Sequence, residues 1–130
     1  MARVALDADL LIAFLDPGDA QHKRAVDQLR LCLTAGDELL IGATVYAEVM
    51  VRPLHQHTDA TVDGFLDAAG VRFVPTDHAI ARRAAGLRAE HPALRLPDAM
   101  SLATALASEA TLLTLDKKLK RITQQVQRST

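Results

Sequence analysis

Aromatic residues are scarce in this chain of 130 residues, where they make up 3% and tryptophan is absent. The core must therefore be built from Leu, Val, Ile and Ala, and binding of nucleic acids by aromatic stacking has little support. Neither sign of charge dominates, because 15 basic and 16 acidic residues nearly cancel. Net charge thus neither favours nor opposes a nucleic-acid partner.

Several other common features are missing. Cys32 is the only cysteine, which excludes an intramolecular disulfide and any zinc site built from several cysteines. No glycine-rich phosphate loop and no G-x-S-x-G elbow occurs, so P-loop and serine-triad chemistry lack support. The apolar residues 10–15 are too few to cross a bilayer, and Asp7 and Asp9 interrupt any signal peptide. We therefore expect a cytoplasmic protein without a membrane span.

Short apolar runs alternate with helical patterns along the chain. The runs that predict buried strands are residues 4–6, 39–41, 71–74 and 111–115. This alternation predicts an α/β fold, a three-layer α/β/α arrangement around a central, mainly parallel sheet of four to five short strands. One domain is expected over residues 1–126, followed by a polar tail at residues 127–130.

The helix boundaries follow from capping and helix-breaking residues. Asp19, Thr44 and Thr76 are predicted to cap the helices that follow them. Pro53 is predicted to end the helix after the second strand, which leaves residues 55–59 as a loop. Beyond the last strand, the pattern predicts only a short helical turn at residues 117–122.

Four acidic residues are predicted to meet at one edge of the sheet. Asp7 follows the first strand and Asp116 follows the last. Asp98 opens the helix before the last strand, and Glu48 lies in the helix after the second. Because carboxylates repel one another, such a crevice favours Mg²⁺ or Mn²⁺, which prefer oxygen ligands. Acids with such an ion suit hydrolysis of a phosphodiester by a metal-activated water.

Three of these acids also have simpler structural interpretations. Asp98 suits the positive end of its own helix, and Asp116 suits an N-cap. Glu48 stands four residues before Arg52, in the favourable order for a surface ion pair. For Glu48 alone, the ion pair is the better interpretation.

Asp7 and the lysines after Asp116 favour a functional interpretation, and Asp9 remains open. Asp7 lies between two apolar runs, where a charge is costly without a partner. Lys117 and Lys118 follow Asp116 in the first helical turn, where cations are unfavourable unless they meet anions such as phosphates. Asp9 is either a fifth ligand or, slightly preferred, the cap of the short helix that follows it.

These residues resemble the PIN-domain nucleases, and more narrowly the VapC-type toxins of bacterial toxin–antitoxin pairs. The resemblance rests on Asp7 after its apolar run, on Glu48, and above all on residues 97–116, from Pro97-Asp98-Ala99 to Thr114-Leu115-Asp116. Two positions depart from the family pattern. Asp9 replaces the usual Ser, Thr or Asn, and Leu119 stands where an aromatic residue is common.

The resemblance implies a metal-dependent endoribonuclease, the toxin component of a type II toxin–antitoxin pair. Asp7, Glu48, Asp98 and Asp116 would then bind Mg²⁺ or Mn²⁺ and cleave RNA, with Thr114 as a supporting hydroxyl. The products would carry a 5′-phosphate and a 3′-hydroxyl. The family also implies a small antitoxin partner and a homodimer. The cations that we consider for contacts to the RNA backbone are Arg82, Arg83, Arg88, Lys117, Lys118, Lys120 and Arg121.

Two other functions remain open from the sequence. Asp7-Ala8-Asp9 after an apolar strand fits the opening motif of haloacid-dehalogenase-type phosphatases, with Asp7 as nucleophile. Against that function, Leu11 stands where the motif has Thr or Val, and no catalytic lysine is evident. The second alternative is a non-catalytic PIN-like binding module, in which the acids have only a structural role.

Overall fold

In the computed structural model, which describes residues 2–129, a parallel sheet lies at the centre of the protein. Its strands are β1 (Arg3–Leu6), β2 (Glu38–Gly42), β3 (Arg72–Val74) and β4 (Thr111–Leu113). Their spatial order is β3-β2-β1-β4, and each neighbouring pair is parallel. The predicted fold class is confirmed, with four strands within residues 2–129.

Helices cover both faces of this sheet. They are α1 (Ala8–Leu15), α2 (His22–Ala35), α3 (Ala43–Gln56), α4 (Asp59–Ala68), α5 (His78–Glu90), α6 (Leu96–Ala107) and α7 (Lys117–Ser129). Successive strand residues point to opposite faces: Leu39 and Ile41 pack with α1–α4, whereas Leu40 packs with α5–α7. The strands are thus apolar on both faces, as parallel strands between two helical layers must be.

The strand register brings the functional segments together. Leu6 of β1 is level with Leu113 of β4, and the Asp7 amide donates a hydrogen bond to the Leu113 carbonyl at 3.0 Å. Residues that follow β1 and β4 therefore emerge side by side at the carboxyl edge of the sheet. Gly42 ends β2 in the neighbouring position, where a Cβ would lie 2.9 Å from Thr104 Oγ1 of α6.

The three predicted N-caps are wrong. The N-cap positions of α2, α3 and α5 are Gln21, Gly42 and Asp77. The Asp77 side chain accepts a hydrogen bond from the Ile80 amide at 2.9 Å, which is the role predicted for its neighbour Thr76. In α5, the two side chains able to cap are adjacent in sequence, and Asp77 is the one that adopts the cap geometry.

Pro53 does not end α3 but lies inside it, and the helix continues to Gln56. The Pro53 ring is buried, so its packing in the core compensates for the backbone hydrogen bond that proline cannot donate. The predicted loop at residues 55–59 shrinks to His57 and Thr58, with His57 in the left-handed conformation (φ 59°).

The last helix is longer than predicted. The helix α7 extends through Ser129, because Leu119, Thr123 and Val126 bury one face of it. Residues 123–129 are therefore helical as well, while Met1 and Thr130 lie outside the described residues. The division into a domain at 1–126 and a tail at 127–130 remains a prediction. Within residues 2–129, no helix combines the length and the apolar character needed to span a bilayer.

Candidate active site

Asp7 is a buried carboxylic acid at the centre of the carboxyl edge. It follows β1 directly and is 4% exposed. The Thr114 hydroxyl donates a hydrogen bond of 2.8 Å to Asp7 Oδ2. Burial, reinforced by the nearby charge of Asp9, raises the pKa of Asp7 to about 6, while the bond from Thr114 lowers it. The protein thus keeps an acid where its charged form is unfavourable.

Asp9 joins α1 to the segment after β4. Its carboxylate lies 3.2 and 3.3 Å from Thr114 Oγ1 and accepts a hydrogen bond from the Leu115 amide at 3.3 Å. Asp9 lies inside the first turn of α1, and Asp7 holds the N-cap position, so the predicted capping role is wrong. Because the Thr114 hydroxyl has one proton, it donates to one of the two acids at a time, and its shortest contact is to Asp7.

Asp98 opens α6 at the same edge, with its side chain 13% exposed. Arg95, one turn earlier, pairs with it through Nε at 3.2 Å from Oδ2. Burial raises the pKa of Asp98, Arg95 lowers it, and the charges of Asp116 and Asp9 raise it further. The net upward shift shows that Arg95 only partly compensates for burial and the other carboxylates.

Glu48 lies on α3 and faces the same cluster. Partial desolvation raises the pKa of Glu48, and so do the charges of Asp98 and Asp9, while Arg95 lowers it. The predicted ion pair with Arg52 is absent among the described contacts, because Arg52 Nη1 binds Asp16 Oδ2 at 2.9 Å instead. Glu48 is thereby left without a salt bridge within residues 2–129, and the simpler interpretation of it loses its basis.

Asp116 caps α7, as its simpler interpretation predicted. Its Oδ1 accepts hydrogen bonds from the Lys118 amide at 2.9 Å and the Leu119 amide at 3.3 Å. Its Oδ2 has no partner among residues 2–129. Capping and ligation are compatible, because the cap occupies one oxygen and fixes the orientation of the other.

Together, the carboxyl edge gathers five acids. Burial is the main cause of the raised pKa values of Asp7, Glu48 and Asp98, and neighbouring carboxylates raise each of them further. An all-oxygen donor set with excess negative charge fits a hard divalent cation in its chemistry. Within residues 2–129, however, no three acidic, histidine or cysteine side chains are already arranged around one point to hold a metal. Asp98 instead accepts a hydrogen bond from Arg95, and Asp116 accepts one from its own helix.

The family model for the PIN domain matches residues 4–124. The chain belongs to the PIN-domain family. The match spans the segments after β1 and β4, and with them every acid described above. No curated protein matches this PIN domain in sequence.

Solved structures agree with this assignment. A toxin–antitoxin complex from Klebsiella pneumoniae contains a chain that is 28% identical, with a TM-score of 0.70 and 88% of each chain covered. VapC20 of Mycobacterium tuberculosis, a sarcin–ricin loop cleaving toxin, is 16% identical, with a TM-score of 0.72 and coverages of 91% and 93%. VapBC2 of Rickettsia felis, bound to a promoter DNA fragment, is 19% identical, with a TM-score of 0.73 and 92% coverage of each chain. The last two show the fold alone.

Two residues of this PIN domain were not singled out from the sequence. Arg95 contacts Asp98 in the acid cluster. The buried Ser101 hydroxyl lies near Asp7 and lowers the pKa of that acid, although it makes no hydrogen bond of good geometry within residues 2–129. Both stand three residues from Asp98, so helical spacing from Asp98 is the signal that could have found them.

Two of the cations considered for RNA contacts, Lys118 and Arg83, lie in different places. Lys118 lines a small pocket with Asp98 and Asp116, next to the acid cluster. Arg83 of α5 instead lines a pocket with Glu109 and Thr111, at the opposite end of β4. The PIN domain therefore does not bring all of the predicted cations to the acids.

A groove extends away from the acid cluster along α1, α3 and α4. It has a volume of about 570 Å³ and starts beside Glu48. Its walls are mainly apolar, and Ile12 and Val51 are exposed there. The acid cluster thus adjoins an open apolar surface.

Proposed function

We propose that this PIN domain is a metal-dependent endoribonuclease and the toxin of a bacterial type II toxin–antitoxin pair. The observation behind the proposal is the cluster of five acids at the carboxyl edge of the sheet, of which only Asp98 has a salt bridge within residues 2–129. Parallel α/β sheets bind their ligands at this edge. The family match and the similarity to the K. pneumoniae toxin–antitoxin complex support the same function.

Asp7, Glu48, Asp98 and Asp116 would hold Mg²⁺ or Mn²⁺, and Asp9 is the candidate for a fifth ligand. The bound ion supplies Lewis-acid chemistry, which lowers the pKa of water and offsets negative charge on a phosphodiester. The chain's own residues orient the acids. Thr114 holds Asp7 by one oxygen, and the two amides after Asp116 hold that acid by Oδ1. Such supporting contacts fix the orientation of the acids that would bind the metal.

Two partners belong to the proposal. The apolar groove beside Glu48 is suited to an apolar segment of an antitoxin, which would then lie against the entrance to the acids. Exposed apolar surface of this kind is typical of a protein interface. A homodimer remains part of the proposal, and sedimentation velocity of the purified chain tests it.

Two alternatives have less support. The family match leaves the haloacid-dehalogenase-type phosphatase without a basis. A non-catalytic binding module would bind RNA without cutting it. The same experiment distinguishes that module from the nuclease.

The experiment is cleavage of total RNA by purified protein freed of any partner, with Mn²⁺, with Mg²⁺ and with EDTA. Asp98→Asn is compared with Asp67→Asn, the same chemical change at an exposed position of α4. Discrete fragments that require metal, disappear in Asp98→Asn and persist in Asp67→Asn are expected. RNA that is bound but not cut by the wild type would favour the binding module, and fragments that persist in Asp98→Asn would contradict the assigned site.

A further inference from the structure

A small pocket beside the acid cluster is lined by two cations to which the proposed function gives no role. It has a volume of about 70 Å³, enough for a few waters or one phosphate group at its mouth. Two acids, Asp98 and Asp116, and two cations, Arg95 and Lys118, line it. The cations come from different elements, the start of α6 and the first turn of α7.

Arg95 has unused hydrogen-bonding capacity at this pocket. Its Nε binds Asp98 at 3.2 Å, and its side chain is 73% exposed. The two Nη atoms have no acceptor among residues 2–129. Arg95 can therefore keep its contact with Asp98 and present the other edge of its guanidinium to an anion. A guanidinium suits phosphate in particular, since its parallel N–H groups match two phosphate oxygens.

Lys118 lines the same pocket. Its Nζ donates one hydrogen bond, 3.3 Å long, to the Ala93 carbonyl, which leaves two donors of the ammonium group. Lys118 stands in the first turn of α7, where the helix dipole disfavours a cation. An anion bound between Lys118 and Arg95 removes this conflict.

We propose that Arg95 and Lys118 together bind one phosphate group of the RNA backbone at the mouth of this pocket. The inference rests on the proposed function, because a divalent cation held by the acids is needed to offset Asp98 and Asp116. Two contacts to one phosphate position the strand beside the acids without reading its sequence. Arg95 and Lys118 are thus positioning residues for the substrate.

The test compares Arg95→Met, Lys118→Met and the double variant with Arg128→Met, a matched loss of charge at the exposed far end of α7. Fluorescence anisotropy measures binding of a short fluorescein-labelled single-stranded RNA over a series of KCl concentrations. Ca²⁺ replaces Mg²⁺, since it takes the same oxygen ligands. A denaturing gel confirms that the RNA stays intact, and thermal unfolding confirms that each variant is folded.

Each single variant is expected to weaken binding by about tenfold at low salt, as for loss of a charged hydrogen bond. One phosphate contact contributes about 0.7 to the slope of log K against log salt for single strands. The double variant should therefore lose about 0.7 of slope, whereas two separate phosphates would give about 1.4. Arg128→Met should bind like the wild type.

The outcomes separate the two proposals. If the wild type binds RNA and both Met variants keep its affinity and salt slope, the shared phosphate site is wrong and the proposed function stands. If the double variant loses twice the expected slope, the two cations bind different phosphates and the pairing is wrong. If the wild type binds no RNA, the proposed function fails and this inference fails with it.

Discussion

The two edges of the sheet differ in how their acidic residues are paired with cations. At the amino edge, Glu38 of β2 pairs with Arg3 at 3.1 Å and with Arg72 at 3.6 Å. At the carboxyl edge, five acids face two cations, and only Asp98 among them has a salt bridge within residues 2–129. Both edges are built from the same four strands. The acid at the amino edge is therefore paired with cations, whereas four of the five acids at the carboxyl edge have no salt bridge within residues 2–129.

The two edges also differ in what they contribute to the stability of the folded state. The two pairs at the amino edge share one carboxylate and are more than a third exposed, so together they contribute no more than about 1 kcal/mol. The carboxyl edge keeps a buried acid with a raised pKa, which destabilises the folded state at neutral pH. Residues that reduce stability in this way are typical of functional sites.

The largest expected contrast is in catalysis. Asp98→Asn should lower RNA cleavage by more than about 100-fold, because loss of even a residue that supports a metal ligand costs 10- to 100-fold. Glu38→Gln at the amino edge should leave kcat/KM for the same RNA within about twofold, a difference below 0.5 kcal/mol. Equal losses of RNA cleavage in the two variants, measured with Mn²⁺ present, would contradict a functional difference between the two edges.

The next contrast concerns stability and pH. The folded pKa of Asp7 lies near 6, above the ordinary 3.8, so the folded state binds the proton more tightly. Stability from this group is full below about pH 4 and is lost as pH rises through 6. Asp7→Asn should therefore stabilise the metal-free protein by about 2–3 kcal/mol at pH 7.5.

Urea unfolding of the wild type and Asp7→Asn, both in EDTA, checks this prediction. The advantage of the variant should shrink to near zero at about pH 4. A variant that is less stable than the wild type at pH 7.5 would show that Asp7 is needed structurally, and would remove the central argument for a functional acid.

The close fit at the carboxyl edge gives a third prediction. Gly42→Ala should destabilise by about 1–3 kcal/mol, because the new Cβ would lie 2.9 Å from Thr104 Oγ1. Gly64→Ala is the matched control, since a Cβ added at this position of α4 would have no atom within 4 Å. Denaturant unfolding should show that Gly64→Ala is neutral or stabilising by up to about 1 kcal/mol. Equal effects at both glycines would mean that β2 and α6 do not pack as described.

The smallest expected effect is at the amino edge. Glu38→Gln removes both of its ion pairs and should cost no more than about 1 kcal/mol, with the loss shrinking at high salt. Thermal unfolding at low and high KCl measures it. A salt-independent loss of several kcal/mol would mean that the amino edge is not a set of exposed pairs.

The sequence predicted best the features that depend on a single structural rule. The strands and the edge at which Asp7 and Asp116 emerge follow from apolar runs and from the geometry of parallel sheets. The sequence predicts a local cap for Asp9, and this prediction fails. The contacts of Asp9 with Thr114 and Leu115 join residues more than 100 positions apart in the chain. Such contacts depend on the assembled fold.

Partners that compete for one side chain were the hardest to predict. Arg52 stands four residues after Glu48, yet the fold brings Asp16 to it at 2.9 Å. The length of α7 was missed because its buried face has Thr123 between Leu119 and Val126, and a polar residue there masks the apolar spacing. Helical spacing identified the elements, and tertiary contacts decided their ends and their ion pairs.

The most direct test of the central claim is calorimetric titration of Mn²⁺ into the metal-free wild type, Asp98→Asn and Asp67→Asn. If the uncompensated acids form a cation site, the wild type and Asp67→Asn should bind Mn²⁺ alike, and Asp98→Asn should bind at least about tenfold more weakly. Mn²⁺ binding that is absent from the wild type, or unchanged in Asp98→Asn, would contradict the claim that the carboxyl edge is a cation site.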